Sequence, residues 1–218
     1  MALHQNLEPP ASPLPAGNFS EWLRAMRKAL AGTEGMDVAC GDCVGCCTSS
    51  YFIKIRPHEI ETRCRIGEDC LEPAPNAPPG TMLMGYDEQG HCTMFRDGGC
   101  SIYQHRPETC RTYDCRVFAA AGTTPGDEKP AISERVARWR FEYPTEADRE
   151  EQRAVTATAD FIRRYPLRFP NGRVPARPNE IAVLAVKAYR VFLQAPGTDA
   201  QVAAAIVGAC RSFDQNGV

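Results

Sequence analysis

The stretch CGDCVGCC, residues 40–47, places four cysteines within eight residues and ends on a neighbouring pair. In a C-x-x-C segment the chain folds back by a turn, so its two thiolates can converge on one ion, and Cys40, Cys43 and Cys46 form two such steps in succession. This run is more typical of iron–sulfur ligation than of a zinc ribbon, which usually offers separate pairs. Neighbouring side chains point apart, so Cys47 either serves a second centre or does not bind metal.

A second cysteine-rich segment, HCTMFRDGGCSIYQHRPETCRTYDC, occupies residues 91–115. It supplies four more cysteines: Cys92, Cys100, Cys110 and Cys115. Their spacing is too wide for one local knuckle, so the tertiary fold must bring them together. Four cysteines from each segment make eight, enough for two four-thiolate sites or for one cluster plus one ion. Cys64 and Cys70 lie between the segments; ordinary buried thiols are the favoured interpretation, with reserve ligands and a redox pair as the alternatives.

The distribution of cysteines restricts their chemistry. Ten of the eleven lie between Cys40 and Cys115, and the N-terminus, MALHQNLEPPASPLPAG, lacks the pattern of a secretory signal. The sequence therefore predicts a cytoplasmic protein, where a reducing environment favours metal ligation or redox chemistry over an extracellular disulfide framework.

The overall composition excludes several other classes of protein. Lys and Arg total 25 against 27 Asp and Glu, so no basic surface for nucleic acid or an acidic membrane is indicated. No apolar run is long enough for a transmembrane helix. We therefore expect neither nucleic acid nor membrane as a partner.

Metal-bound thiolates would add negative charge to a segment that is already acidic. Residues 40–118 contain eight Lys or Arg and eleven Asp or Glu, and four thiolates around a divalent ion or a 4Fe–4S core leave roughly −2 per site. Arg106, Arg111 and Arg116 lie between or beside the last cysteines. They are candidates to donate charged hydrogen bonds to sulfur or backbone, and surface ion pairs are an equally good interpretation for Arg106 and Arg111.

Other side chains of this region have ordinary interpretations. His58, His91 and His105 are predicted to be solvated rather than ligands, and His91, beside Cys92, is the one to test. Five aromatic residues are expected to pack the small core and keep solvent from the sulfurs: Tyr51, Phe52, Phe95, Tyr103 and Tyr113.

Regular elements are predicted on both sides of the cysteines. Residues 19–31 have helical periodicity and could be capped by Asn18 or Ser20. Further elements are a strand at 51–55, a short helix entered at Pro57, an irregular proline-rich loop at 71–80, a hairpin turning at 97–99 and a helical turn entered at Pro107. In the last third Thr145, Asn179 and Thr198 are predicted to cap three helices, with Cys210 as a small buried hydrophobe.

These patterns predict a helix-rich α+β fold. A small, irregular, metal-binding cysteine core with a short hairpin would be covered by N-terminal and C-terminal helices. We expect a flexible arm over residues 1–17, a cysteine-cluster domain over 18–125 and a helical region over 126–218 packed on it.

Three stretches of the sequence resemble the bacterial CxxCxxCC proteins, a family described as zinc- or iron-chelating. The stretches are CGDCVGCC, SSYFIKIRPHEI and HCTMFRDGGCSIYQHRPETCRTYDC. The resemblance covers about 80 residues. It implies that the eight cysteines matching the family pattern are ligands: Cys40, Cys43, Cys46, Cys47, Cys92, Cys100, Cys110 and Cys115. The block that connects the last of them contains Tyr103, Arg106, Pro107 and Arg111. Part of the wider group resembles flagellin lysine methylases, but no glycine-rich loop for a methyl donor is recognisable.

Three functional hypotheses follow. The leading one is a metal-binding protein whose clustered cysteines hold an iron–sulfur cluster, 4Fe–4S being favoured, and/or Zn²⁺. The alternatives are a metal-dependent enzyme that modifies a protein side chain or a small molecule, and a thiol redox or metal-handling protein in which Cys46 and Cys47 exchange partners. A protein partner or substrate is left open.

Overall fold

The computed structural model describes residues 12–36, 38, 41–126, 128–194 and 197–217. The α-helices among these residues are α1 (Phe19–Leu30), α2 (Ile60–Ile66), α3 (Glu108–Thr112), α4 (Arg116–Ala120), α5 (Pro130–Arg138), α6 (Glu146–Arg164), α7 (Pro178–Ala188) and α8 (Asp199–Asn216). The β-strands are β1 (Leu14–Asn18), β2 (Ile53–Ile55), β3 (Leu71–Pro73), β4 (Met82–Met84), β5 (Phe95–Arg96), β6 (Gly99–Cys100) and β7 (Trp139–Glu142). The helix-rich α+β class predicted from the sequence is confirmed.

Helix α1 begins and ends close to where its periodicity predicts. Of the two candidate caps, Asn18 is the one used: its side chain accepts a hydrogen bond from the Glu21 N–H at 3.0 Å. The buried Arg27 donates to the carbonyls of Val186 and Lys187, both at 2.9 Å. Since the last carbonyls of a helix have no partner within it, this arginine joins α1 to the end of α7.

The C-terminal helices carry the capping signals that the sequence contains. Thr145 forms a capping box with Asp148 at the start of α6, and Thr198 forms one with Gln201 at the start of α8. The predicted Asn179 cap is wrong, because α7 begins two residues earlier than that cap implies, with Pro178 at its first position, where a helix tolerates proline well.

The main hydrophobic core lies between helices α1, α4, α6, α7 and α8. Its fully buried large side chains include Phe19, Leu23, Phe118, Val155, Ile162, Val186 and Ile206. Alanines fill the close approaches between α4, α6 and α7: Ala120, Ala159, Ala182 and Ala185 are fully buried. Small side chains let these helices pack tightly, so this layer forms the rigid support for the rest.

A parallel pair of strands packs against helices α1 and α4 of this layer. Strand β1 pairs with β7, with Leu14 opposite Trp139 and Asn18 opposite Glu142. The residues of the predicted arm are described from residue 12 onward, and from Leu14 they belong to β1. Neither strand was predicted, because each depends on a partner that is far away in the sequence.

A small sheet with the order β2–β4–β3 covers a second, smaller hydrophobic cluster. Two predictions are corrected here. The proline-rich loop at 71–80 contains strand β3, with Pro73 at the end of a strand on the sheet edge, where no ladder hydrogen bond is lost. Helix α2 begins at Ile60 and not at Pro57, because the Glu59 carboxylate accepts a hydrogen bond from the Arg56 N–H and closes a turn before the helix.

The predicted hairpin and helical turn are confirmed. Strands β5 and β6 are antiparallel, and Asp97 and Gly98 between them have φ values of 50° and 78°. Positive φ at both central residues is typical of the tight turns that join two strands. Helix α3 follows Pro107 directly.

Candidate metal centre

The first cysteine segment forms a tight turn against helix α5. Cys46 and Cys47 lie in a single 3₁₀ turn, Gly45–Thr48. Gly45 is buried, and a Cβ added there would lie 3.4 Å from the backbone of Ala131, so glycine permits the close approach of turn and helix. The two neighbouring cysteines are therefore presented from an anchored backbone.

The second segment is attached to this turn by backbone hydrogen bonds. The Cys92 N–H donates to the Cys47 carbonyl at 2.7 Å, and the Ser50 N–H donates to the Gly90 carbonyl at 2.9 Å. Cys100 lies on β6, opposite Phe95. Both Cys92 and Cys100 pack against the smaller hydrophobic cluster.

Cys110 lies on α3, which is held in place by the buried Glu59. The Glu59 carboxylate accepts the Glu108 N–H at 2.6 Å at the start of the helix, where an anion is favoured. The Thr109 hydroxyl also donates to the Lys54 carbonyl at 2.6 Å. These bonds fix α3 next to β2 and the turn before α2.

Five thiols from these segments lie within one another's electrostatic field. Burial raises the pKa of the Cys110 thiol to about 12, and nearby thiols act in the same direction. Those thiols are Cys46, Cys92 and Cys100. Burial likewise raises the pKa of Cys92, and Cys100 and Cys46 add to the effect. Cys92 and Cys100 also raise the pKa of Cys47, so the fold brings together cysteines that are distant in sequence.

The neighbouring pair Cys46 and Cys47 is polarised. The hydrogen bond with Cys47 lowers the pKa of Cys46 to about 7, against the opposing effect of burial. The same hydrogen bond raises the pKa of Cys47 far above its ordinary range. Cys46 is therefore the better thiolate of the two, and its side chain is exposed while that of Cys47 is half-buried.

Arg106 provides positive charge beside the thiols. Its charge lowers the pKa of both Cys46 and Cys110. Its guanidinium stacks on the Tyr103 ring at 3.8 Å from the centroid, and its buried Nε has no hydrogen-bond partner among the described residues. The Arg111 side chain is exposed, and its backbone carbonyl accepts the Met36 N–H at 2.8 Å.

Cys115 faces the helical layer. It packs against the main core, and its sulfur accepts a hydrogen bond from the Trp139 indole N–H at 3.2 Å. The charges of Cys115 and Cys46 both raise the pKa of Tyr113, after burial and the nearby Tyr51 hydroxyl. Cys46 therefore lies within the electrostatic reach of both Cys110 and the tyrosine pair beside Cys115.

The described residues do not include all eight predicted ligands. Cys40 lies outside the described residues, and Cys43 is half-buried close to the first turn. Within the part of the chain that the structure describes, no three His, Cys, Asp or Glu side chains are arranged so that they could hold a metal ion.

The three cysteines outside the predicted set lie in three different places. Cys64 is exposed on α2, and Cys70 is half-buried against the smaller hydrophobic cluster. Cys210 is half-buried on α8, where burial raises its pKa to about 11. Its sulfur lies 3.9 Å from the Leu184 carbonyl, in agreement with a packing role.

Of the three histidines in the cysteine region, two lie beside carboxylates and the third contacts a ring. His58 lies 3.4 Å from Glu108 and His105 lies 3.0 Å from Glu61. His91 packs edge-on against Phe95, with ring centroids 5.2 Å apart.

The sequence did not predict which polar residues anchor the elements that carry the cysteines. Glu59 anchors α3, and the fully buried Asp114 accepts the Trp22 indole N–H at 2.7 Å and pairs with Arg116 at 2.8 Å. Asp114 directly precedes Cys115, and that adjacency is the signal the sequence contains. The role of Trp139 has no local signal, since the residue lies beyond the last clustered cysteine.

Comparison with known proteins agrees with the resemblance seen in the sequence. Residues 39–135, less than half of the chain, match the model of the CxxCxxCC family, described as "putative zinc- or iron-chelating domain". That description supports metal binding by this part of the chain. No curated protein and no solved structure matches the chain. None of the described helices has both the length and the apolar character that a membrane span needs.

Proposed function

We propose that the cysteine-rich part of this chain chelates iron or zinc through thiolates drawn from eight cysteines. These are Cys40, Cys43, Cys46, Cys47, Cys92, Cys100, Cys110 and Cys115. The observation that carries the proposal is the gathering of five thiols from separate segments into one electrostatic field. Without a cation, burial and mutual repulsion favour the protonated form of several of these groups, and a bound metal ion would favour their ionised form.

The donor chemistry fits a thiophilic metal. Thiolates select zinc and iron–sulfur clusters over hard cations such as magnesium. Arg106 supplies a positive charge beside Cys46 and Cys110, and its buried, unpartnered Nε is available to donate to a ligating sulfur. A site of four thiolates with a net charge of roughly −2 would satisfy this donor.

A metal would also explain how the cysteine region is held together. Its strands are two or three residues long and its buried cluster is small. A bound metal supplies cross-links between segments, and where a site does not exist in the unfolded chain, its binding energy becomes folding energy. The C-x-x-C steps favour an iron–sulfur cluster over zinc, and both remain within the proposal.

The decisive experiment is metal analysis of anaerobically purified protein. Iron with equimolar acid-labile sulfide and a brown colour would identify an iron–sulfur cluster, and a colourless protein that contains zinc would identify zinc. We expect Cys110→Ser to lower metal content sharply, because its buried thiol lies among the gathered sulfurs.

Cys210→Ser is the matched control, since this cysteine is also half-buried but packs on α8 away from the cluster. We expect it to retain the wild-type metal content. If native wild-type protein holds no metal and all clustered thiols react with an alkylating reagent, the proposal is wrong. Equal metal loss in both variants would contradict the division into ligands and packing residues.

A further inference from the structure

Trp139 donates its indole N–H to the sulfur of Cys115 at a distance of 3.2 Å. The tryptophan is 4% exposed and stands at the first position of β7, outside the segment that matches the family model. A buried indole N–H needs a hydrogen-bond partner, and this one donates to a cysteine of the predicted ligand set. The bond therefore places a donor from outside the matched segment on a candidate metal ligand.

Two guanidinium groups lie near the ring of the same tryptophan. The Arg135 guanidinium carbon is 4.9 Å and that of Arg116 is 5.9 Å from the Trp139 ring centroid. Cations beside an indole withdraw electron density from it, which makes the N–H a stronger donor. The sulfur of Cys115 therefore receives a hydrogen bond strengthened by positive charge.

The backbone on both sides of this bond is fixed by buried polar contacts. Asp114, which precedes Cys115, accepts from Trp22 and from Arg116, and Arg116 also donates to the Ala16 carbonyl at 3.1 Å. Ala16 belongs to β1, the strand that pairs with β7. The donor and the acceptor are thus held by one network that joins α1, α4, β1 and β7.

We infer that Trp139 is a positioning residue that orients the Cys115 thiolate and lowers its reactivity when it binds metal. This inference rests on the proposed function. A hydrogen bond to a ligating thiolate takes up one of its lone pairs and part of its negative charge, so the sulfur becomes a weaker nucleophile and its orientation toward the metal is fixed. The metal site then depends on the helical layer for one of its hydrogen-bond donors.

The test measures the alkylation of Cys115 in metal-loaded protein. Full-length wild type, Trp139→Phe, Tyr189→Phe and Arg135→Gln are purified anaerobically and their metal content is determined. The rate of iodoacetamide labelling is then followed at each cysteine by mass spectrometry. We expect labelling of Cys115 to become several-fold faster in Trp139→Phe, with labelling of Cys47 and Cys110 unchanged.

Tyr189→Phe is the matched control, because it removes the hydrogen-bond donor of another buried aromatic side chain, one that bonds to Glu151 in the helical layer. It should leave the Cys115 rate unchanged, and Arg135→Gln should raise that rate to a smaller extent. If Trp139→Phe does not fold or loses its metal, Arg135→Gln decides the question.

Three outcomes would overturn the inference: an unchanged Cys115 rate in both Trp139→Phe and Arg135→Gln, an equal rise in Tyr189→Phe, or a rise shared by every clustered cysteine. A metal-free wild type is a different result, since it defeats the proposed function itself.

Discussion

The helical layer and the cysteine region of this chain achieve order in different ways. The layer packs helices of 11–19 residues (α1, α6, α7 and α8) around a large core, and buried alanines allow close contact. The cysteine region has strands of two or three residues, a small cluster and several thiols in each other's field. Apolar burial can stabilise the layer alone, whereas the cysteine region needs another source of free energy, and a bound metal is the proposed one.

The two regions also differ in how the N-terminal N–H groups of their helices are hydrogen-bonded. In the layer, capping boxes satisfy the first N–H groups of α6 and α8 locally. In the cysteine region the corresponding bonds come from distant residues, as when Glu59 accepts the Glu108 N–H at the start of α3. The layer is therefore assembled largely from local signals, and the cysteine region from long-range contacts.

Removal of metal should produce the largest effect and separate the two regions. With a chelator under reducing conditions, we expect backbone amides of residues 41–115 to lose protection from hydrogen exchange, while α6, α7 and α8 stay protected. Hydrogen exchange followed by mass spectrometry checks this. Equal loss of protection in both regions would mean that they unfold as one unit.

A cavity in the helical layer should have the converse effect. Ile206→Ala removes a side chain on α8 that is 2% exposed, and we expect it to lower the free energy of unfolding by about 2–5 kcal/mol. The measurement is urea denaturation followed by circular dichroism. Metal content of the folded protein should not change; a parallel loss of metal would contradict the independence of the two regions.

Acid should weaken the junction between α1 and α6. The buried Asp148 accepts hydrogen bonds from Thr145 and from the Ser20 N–H at 3.1 Å, which hold its pKa well below the usual range. Such a group stabilises the folded state above its unfolded pKa of about 3.9, and this stability is lost as the pH falls below that value. Thermal unfolding at neutral pH and at about pH 3 should show a smaller acid-induced fall in Asp148→Asn than in wild type.

The smallest expected effect concerns a single cap. Thr198→Ala removes the side chain that accepts the Gln201 N–H, and it should cost about 1 kcal/mol of stability. Thr198→Ser keeps the hydroxyl and is the control. If the two variants have the same denaturation midpoint, the capping box contributes nothing measurable to stability.

The elements that the sequence predicted correctly are those with local causes. The Asn18 cap, the turn at Asp97 and Gly98 and the capping boxes all depend on residues within three or four positions. The start of α7 was misplaced by two residues because proline and asparagine are both good start signals. Strands β1 and β7 were missed since their pairing is not encoded locally.

The sequence by itself determined the cysteine-rich character of the centre, the helical nature of the last third and the resemblance to a metal-chelating family. These follow from spacing, periodicity and capping, which act over a few residues. Tertiary structure alone decided that Arg106 lies beside Cys46 and Cys110, and that Trp139 bonds to Cys115. Contacts between distant residues depend on how whole elements pack, and local spacing carries no information about that packing.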